Sequence, residues 1–170
     1  HVLPRETQLD IGLLSIYLIQ QEISYVHMPT RLYEQCQADI LQALEALKYL
    51  RAGGESLSYV CDTSEIKYTL VNSYGPTECT VSATLLTCEP GSHAKAKASI
   101  GSPLSNTRLY VLDSSKKILP IGAIGELYIG GAGLARGYLN QAPLTDASFI
   151  ANPFATAADK AQGYTRLYKT

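Results

Sequence analysis

Apolar and polar positions divide this chain into a first stretch where helix-like and strand-like segments alternate and a second where strand-like segments dominate. Between Thr7 and Gln21, Leu9, Leu13, Ile16 and Leu18 recur with other apolar residues between them, predicting a largely buried helix. Ile23 to Val26 predicts a short strand, and Pro29 stands where a first helical turn begins. Ile40 to Leu47 has helical character. Tyr49 to Ala52 then predicts a strand that ends in Gly53-Gly54-Glu55. A polar connector with some helical potential, Ser56 to Lys67, leads to Tyr68-Thr69-Leu70-Val71, and Thr80 to Thr87 follows as another strand. Such alternation argues for part of a parallel sheet with covering helices.

The pattern changes after Cys88. Glu89 to Ser99 is polar and rich in small residues, and predicts a linker. Thr107 to Leu112 alternates as a strand, Asp113 to Lys116 turns the chain, and Ile118 to Ile121 is expected to return it. Gly125 to Gly130 is a further strand, Pro143 to Phe149 a short helix, and Tyr164 to Lys169 a final strand. The predicted fold class is α/β: part of a parallel αβ sheet over 1–88, then a mainly antiparallel β part over 89–170.

The 170 residues are 46% hydrophobic and 17% charged, the composition of a globular chain with a sizeable core. A net charge of −1 gives no electrostatic reason to expect nucleic acid or an anionic membrane as partner. The longest apolar stretch, Ile11 to Ile19, is interrupted by Gly12 and Ser15 and is too short to span a bilayer. Cys36, Cys61, Cys79 and Cys88 lack C-x-x-C spacing, and His1, His27 and His93 do not cluster with them, so zinc is not expected. Reduced thiols in a cytoplasmic protein are the expectation. The opening on His1, with no leader pattern, reads as an internal stretch of something longer.

Candidate chemistry concentrates in Asn72-Ser73-Tyr74-Gly75-Pro76-Thr77-Glu78. Gly75 admits backbone angles closed to other residues, and Pro76 stiffens the corner. The run follows a strand, at the carboxyl end where open α/β sheets collect ligands. Tyr74 can stack on a base, an interaction typically worth about 1–3 kcal/mol. Asn72 can donate to and accept from a base edge, and Thr77 can donate to a phosphate oxygen. Glu78 is a hard oxygen ligand of the kind Mg²⁺ takes. On these residues alone, a nucleotide site and an ordinary Gly-Pro turn with a solvated glutamate both remain open. The Gly53-Gly54 loop favours the site, because parallel strands carry both loops to one edge, where they can line one crevice.

Gly131-Ala132-Gly133 with Gly137 is not a dinucleotide fingerprint, since the third glycine position of G-x-G-x-x-G falls on Arg136. A tight, close-packed β turn is expected instead, with Arg136 anchoring it.

Several runs together resemble one family. Asn72 to Glu78 resembles the N-x-Y-G-P-T-E motif of the amino-acid-activating adenylation domains of nonribosomal peptide synthetases, within the adenylate-forming, AMP-binding superfamily. The resemblance extends through Leu50-Arg51-Ala52-Gly53-Gly54-Glu55, Ile100-Gly101-Ser102-Pro103 and Gly125 to Gly131. It continues through Leu134-Ala135-Arg136-Gly137-Tyr138-Leu139 and ends at Leu167-Tyr168-Lys169-Thr170. It covers essentially the whole chain.

This resemblance implies activation of an amino acid with ATP and Mg²⁺, then transfer to the phosphopantetheine thiol of a partner carrier domain. Carrier-protein and condensation domains of the same assembly line are the implied partners. Thr77 would contact phosphate, and Glu78 would bind the metal. Asn72, Ser73 and Tyr74 would hold the nucleotide, with Gly53 packing near the adenine. Thr30, Leu50, Ala52, Ser73, Val81 and Ser82 would line the amino-acid pocket. Small residues at Ala52, Ser73 and Ser82, with apolar walls at Leu50 and Val81, imply an aromatic substrate, tyrosine-like or phenylalanine-like. The family's phosphate loop, amine-holding aspartate, ribose-binding aspartate and catalytic lysine have no match here, and the connector before Val71 is shorter than the family's. The chain by itself is therefore expected to be inactive. An acyl-CoA or aryl-acid ligase of the same superfamily, and a catalytically dead scaffold module, remain the alternatives.

Overall fold

A computed structural model of the chain describes residues 2–36, 41, 43–57, 66–90 and 99–170. Two compact units emerge: His1–Ser73 with Leu86–Gly101, and Tyr74–Leu85 with Ser102–Thr170.

In the first unit the expected long helix is two. Helix α1 (Arg5–Leu9) stops at Asp10, whose extended backbone and carboxylate cap α2 (Ile11–Gln20) by accepting from the Leu13 N–H at 3.0 Å. Nor is the segment largely buried: Leu14, Ser15 and Leu18 are, but Leu13, Ile16 and Ile19 are about half exposed. At this spacing one helical face meets the core and the other does not. The first strand lies two residues later than its apolar run predicts, as β1 (Tyr25–Pro29). Pro29 ends it and precedes α3 (Thr30–Gln35). Of the expected helix from Ile40 to Leu47, Leu41 is helical and residues 43–47 lack helical structure, while Ile40 and Gln42 lie outside the described residues. Most of the Ser56–Lys67 connector and of the Glu89–Ser99 linker also lies outside them.

Strands β2 (Tyr49–Gly53) and β3 (Thr69–Tyr74) run parallel to β1 in the order β1-β2-β3. Pro29 pairs with Gly53 and Gly53 with Ser73, so the three carboxyl ends reach one edge. Leu50, Ala52 and Leu70 point into a core with Leu14, Leu18, Met28 and Tyr33. Strand β3 continues through Asn72, Ser73 and Tyr74, so the first residues of the motif are paired sheet rather than turn.

The expected strand from Thr80 to Thr87 is shorter, β4 (Thr84–Cys88), because Thr80 and Val81 adopt left-handed backbone that no strand accommodates. The first residues of β4 pair with β5 (Ser102–Pro103) in the second unit. There β6 (Thr107–Leu112), β7 (Glu126–Gly131), β8 (Phe149–Ala151) and β9 (Arg166–Lys169) form an antiparallel sheet ordered β6-β7-β9-β8. The predicted return strand Ile118–Ile121 reduces to one bridge, Leu112 to Ile118. Pro120 has no N–H to give a ladder, and Ile121 is fully exposed. Helix α4 (Ala142–Ser148) precedes β8, and α5 (Ala157–Ala161) precedes β9.

A capping box starts α5. Thr156 donates its hydroxyl to Asp159 Oδ2 at 2.7 Å, and the Asp159 N–H donates back to Thr156 Oγ1 at 3.1 Å. Arg108, on β6, pairs with Asp159 Oδ1 at 3.0 Å. The Thr156 hydroxyl first, then its N–H and Arg108, hold the Asp159 carboxyl below the usual range. A depressed folded-state pKa contributes stability above the unfolded pKa and loses it as pH falls through the folded value. Asp159→Asn is thus expected to lower the Tm above about pH 5, with the gap closing below about pH 4. Melting curves across that range check it; a gap that persists in acid would show that the charge is not what stabilises the cap.

Candidate functional site

The chain leaves β3 through a corner whose shape depends on Gly75. A Cβ there would lie 2.6 Å from Ala83 N, 2.7 Å from Ser82 Cα and 2.8 Å from Val81 O, all backbone atoms. Close approach, rather than a left-handed φ, is what requires glycine at this position. The corner is closed by the Ala83 N–H donating to Tyr74 O at 2.8 Å. A single 3-10 turn, Thr77–Cys79, follows Pro76. Thr80 and Val81 then take φ values of 57° and 68°, uncommon for β-branched residues. This backbone is held from outside, by Thr80 Oγ1 donating to Gly133 O at 2.7 Å and the Ala135 N–H donating to Glu78 O at 2.7 Å. The loop after β7 therefore lies along the turn that carries Thr77 and Glu78.

That loop delivers Tyr138, whose hydroxyl donates to Glu78 Oε1 at 2.5 Å. The Tyr138 bond is the chief cause holding the Glu78 carboxyl below its ordinary range, with a smaller contribution from Tyr168. Glu78 is thus anionic at neutral pH. Burial, then the Tyr138 hydroxyl and the Glu78 charge, raise the Tyr168 phenol. Burial and Glu78 push the adjacent Cys79 thiol up to about 12, so it stays protonated and is no nucleophile.

Behind the tyrosines, Phe149 packs edge-on to Tyr138 at 5.7 Å and against Tyr168 at 5.2 Å between ring centres. The Arg166 guanidinium lies 5.3 Å over Phe149 and donates to the carbonyls of Arg136 and Ala135, each at 2.9 Å. The anchor of this loop is therefore Arg166. Arg136, expected in that role, is exposed and contributes its carbonyl. The expected close-packed glycine turn is present: the Leu134 N–H donates back to Gly131 O at 3.4 Å, and the Ala132 N–H donates to Asn106 O at 3.0 Å.

In the second unit, Tyr74 is half-buried against Cys79, Ala83 and Ile129. Thr77 and Val81 are exposed, and Ser82 is half-buried.

In the first unit, Gly53 and Ser73 meet closely at the sheet edge: a Cβ on Gly53 would lie 2.8 Å from Ser73 O. Thr30, fully buried, donates to Glu55 O at 3.1 Å, and Arg31 pairs with the Glu55 carboxylate at 2.6 Å, fixing the loop after Gly53. Asn72 is 4% exposed and gives an amide N–H to Ser99 O at 2.8 Å. Ser73 Oγ accepts from Arg51 at 2.8 Å. By register and alternation Leu50, Ala52 and Asn72 share one sheet face, whereas Ser73 lies on the other with Arg51. Thr30, Leu50 and Ala52 are all fully buried.

Sequence reasoning gives no chemistry to Tyr138, Tyr168 or Arg166. Tyr138 and Tyr168 belong to motif runs, which mark their neighbourhood, but a contact across 60 residues leaves no local signal.

The donor set suits Mg²⁺ of the kind that keeps most of its ligands as water and substrate phosphate. Glu78 supplies one oriented, ionised carboxylate. Among the described residues no group of three or more His, Cys, Asp or Glu gathers into a metal cage. Also among them, no helix is long and apolar enough to cross a membrane.

Residues 1–139 match the family model described as AMP-binding enzyme. A linear gramicidin synthase of Brevibacillus parabrevis is 39% identical over 98% of this chain. Malpinin synthetase of Mortierella alpina is 41% identical over 92% of it. The chain spans only 3% and 2% of the lengths of these two relatives. Among solved structures, a four-domain nonribosomal peptide synthetase bound to AMP and glycine superposes with a TM-score of 0.73 at 32% identity, over 100% of this chain and 12% of that one. A second synthetase, containing adenylation and carrier domains and bound to a vinylsulfonamide inhibitor, gives 0.77 at 26% identity over 95% of this chain and 28% of its own. The chain belongs to the AMP-binding enzyme family, as a stretch related to the adenylation domains of nonribosomal peptide synthetases.

Proposed function

We propose that this chain contributes one wall of an ATP site in an enzyme that activates an amino acid and loads it onto a carrier-protein pantetheine thiol. The observation that carries this reading is Glu78, an ionised carboxylate on a turn fixed by Gly75. In the reaction a carboxylate oxygen of the amino acid attacks the α-phosphorus of ATP. The bond from that phosphorus to the bridging oxygen breaks, and pyrophosphate leaves. The pantetheine thiol then displaces AMP from the acyl carbon.

Such steps are accelerated by positioning and by neutralising phosphate charge. Asn72, Ser73 and Tyr74 hold the nucleotide, with Tyr74 stacking on the base and Gly53 allowing close approach. Thr77, exposed at the start of its turn, donates to a phosphate oxygen. Glu78 holds Mg²⁺, which when bound supplies positive charge to the phosphates. The 1–88 part carries this nucleotide turn and the 89–170 part supports it. Condensation and carrier domains of one cytoplasmic assembly line are the partners, and the chain alone is inactive.

An aromatic amino acid is the proposed substrate, on the sizes of Ala52, Ser73 and Ser82 and the apolar Leu50 and Val81 of the inferred pocket. Pyrophosphate exchange by the full-length protein tests this across an amino-acid panel. Phenylalanine or tyrosine is expected to exceed glycine, aspartate and lysine by about tenfold or more, about 1.4 kcal/mol of discrimination. Equal or faster exchange with the small or charged amino acids would rule the assignment out.

A further inference from the structure

Tyr138 is tied in at three levels, none of which the activity proposed above requires. Its hydroxyl donates to Glu78 Oε1, while its backbone N–H donates to Thr145 Oγ1 at 2.9 Å. Its ring packs edge-on against Phe149, over whose ring Arg166 lies. Arg166 also brackets two successive carbonyls, Ala135 and Arg136, which Gly137 separates from Tyr138. A carboxylate at the end of a glutamate has freedom about three bonds. The short hydrogen bond from Tyr138, with the smaller one from Tyr168, reduces that freedom and sets which oxygen faces the protein.

We propose that Tyr138, braced by Arg166, is the positioning residue for the Glu78 carboxylate, setting its aim toward a divalent cation rather than touching the reacting atoms. This inference rests on the reading of Glu78 as the metal ligand. Outer partners of metal-binding carboxylates commonly change metal affinity about 10–100-fold when removed. Loss of the Tyr138 hydroxyl leaves Glu78 a carboxylate at neutral pH, so the expected effect is one of orientation and not of charge. It also distinguishes Tyr138 from a packing residue: replacement by phenylalanine keeps the ring, the Phe149 contact and the backbone bond to Thr145.

The test is equilibrium binding of α,β-methylene ATP to the full-length protein, with Mg²⁺ and again in EDTA. The ratio of the two affinities measures how far metal and nucleotide reinforce each other. Tyr138→Phe is expected to cut that ratio about tenfold while leaving the EDTA affinity and the Tm unchanged. Glu78→Gln, measured beside it, should bring the ratio close to one. A wild-type ratio in Tyr138→Phe with a collapsed ratio in Glu78→Gln would overturn the positioning role and leave the metal assignment standing. A higher ratio in Tyr138→Phe would also overturn it, since the hydroxyl would then mask the carboxylate. A wild-type ratio in Glu78→Gln would remove the metal assignment and this inference together. Should Tyr138→Phe lower the Tm, Arg166→Lys decides, because it leaves every side chain that touches Glu78 chemically unchanged and weakens only the brace. A reduced ratio there supports the brace, and a wild-type ratio overturns it.

Discussion

Glu78→Gln in the full-length protein is expected to slow amino-acid-dependent ATP–pyrophosphate exchange by about a hundredfold or more, about 2.7 kcal/mol of transition-state stabilisation. The substitution is nearly isosteric, and the glutamine carbonyl can still accept from Tyr138. It removes only the negative charge that the tyrosine hydroxyl holds in place. An ionised carboxylate is a strong ligand for a hard cation, whereas a neutral amide oxygen is a weak one. The loss should therefore fall mainly on the chemical step and on the Mg²⁺ requirement, with the Tm unchanged. Exchange at the wild-type rate would remove Glu78 from the metal site.

Gly131→Ala is expected to produce the largest loss of stability, about 3 kcal/mol or more. Gly131 ends β7 with φ of +115°, and a Cβ there would lie 2.0 Å from Asn106 O. The obstructing atom is backbone, and it accepts the Ala132 N–H, so it cannot move without opening the join between β7 and the start of β6. Gly122→Ala serves as a control: its φ is +90°, but nothing lies within 4 Å of the added carbon. It carries only the conformational cost, about 1–2 kcal/mol. Calorimetric melting of both variants separates the two contributions. Equal shifts would show that overlap at Gly131 relaxes without cost.

The helical and strand patterns announce most of the two sheets, because their apolar residues repeat at the spacing that burial requires. Where the pattern misleads, a polar residue acts on the backbone. Asp10 splits the first helix by capping the second, and that cap precedes the apolar run, visible in the sequence. The apolar run ends at Val71, yet Asn72 and Ser73 remain paired with β2, since backbone pairing does not depend on apolar side chains. The short β8 and the α5 turn have no apolar period to announce them, although Thr156 and Asp159 spell a capping box. The motif from Asn72 to Glu78 stands out in the sequence as a chemical cluster. What surrounds Glu78 does not. Tyr138 and Tyr168 reach it through the antiparallel pairing of β7 with β9 and the loop that Arg166 brackets, a tertiary arrangement without a sequence period.

The proposed activation of amino acids is tested most directly by amino-acid-dependent ATP–pyrophosphate exchange by the full-length protein, run beside CoA-thioester formation from fatty and aryl acids. The predicted result is exchange that requires both an amino acid and a divalent metal, with no CoA thioester. CoA-thioester formation without amino-acid-dependent exchange, or no exchange with any amino acid, would contradict it.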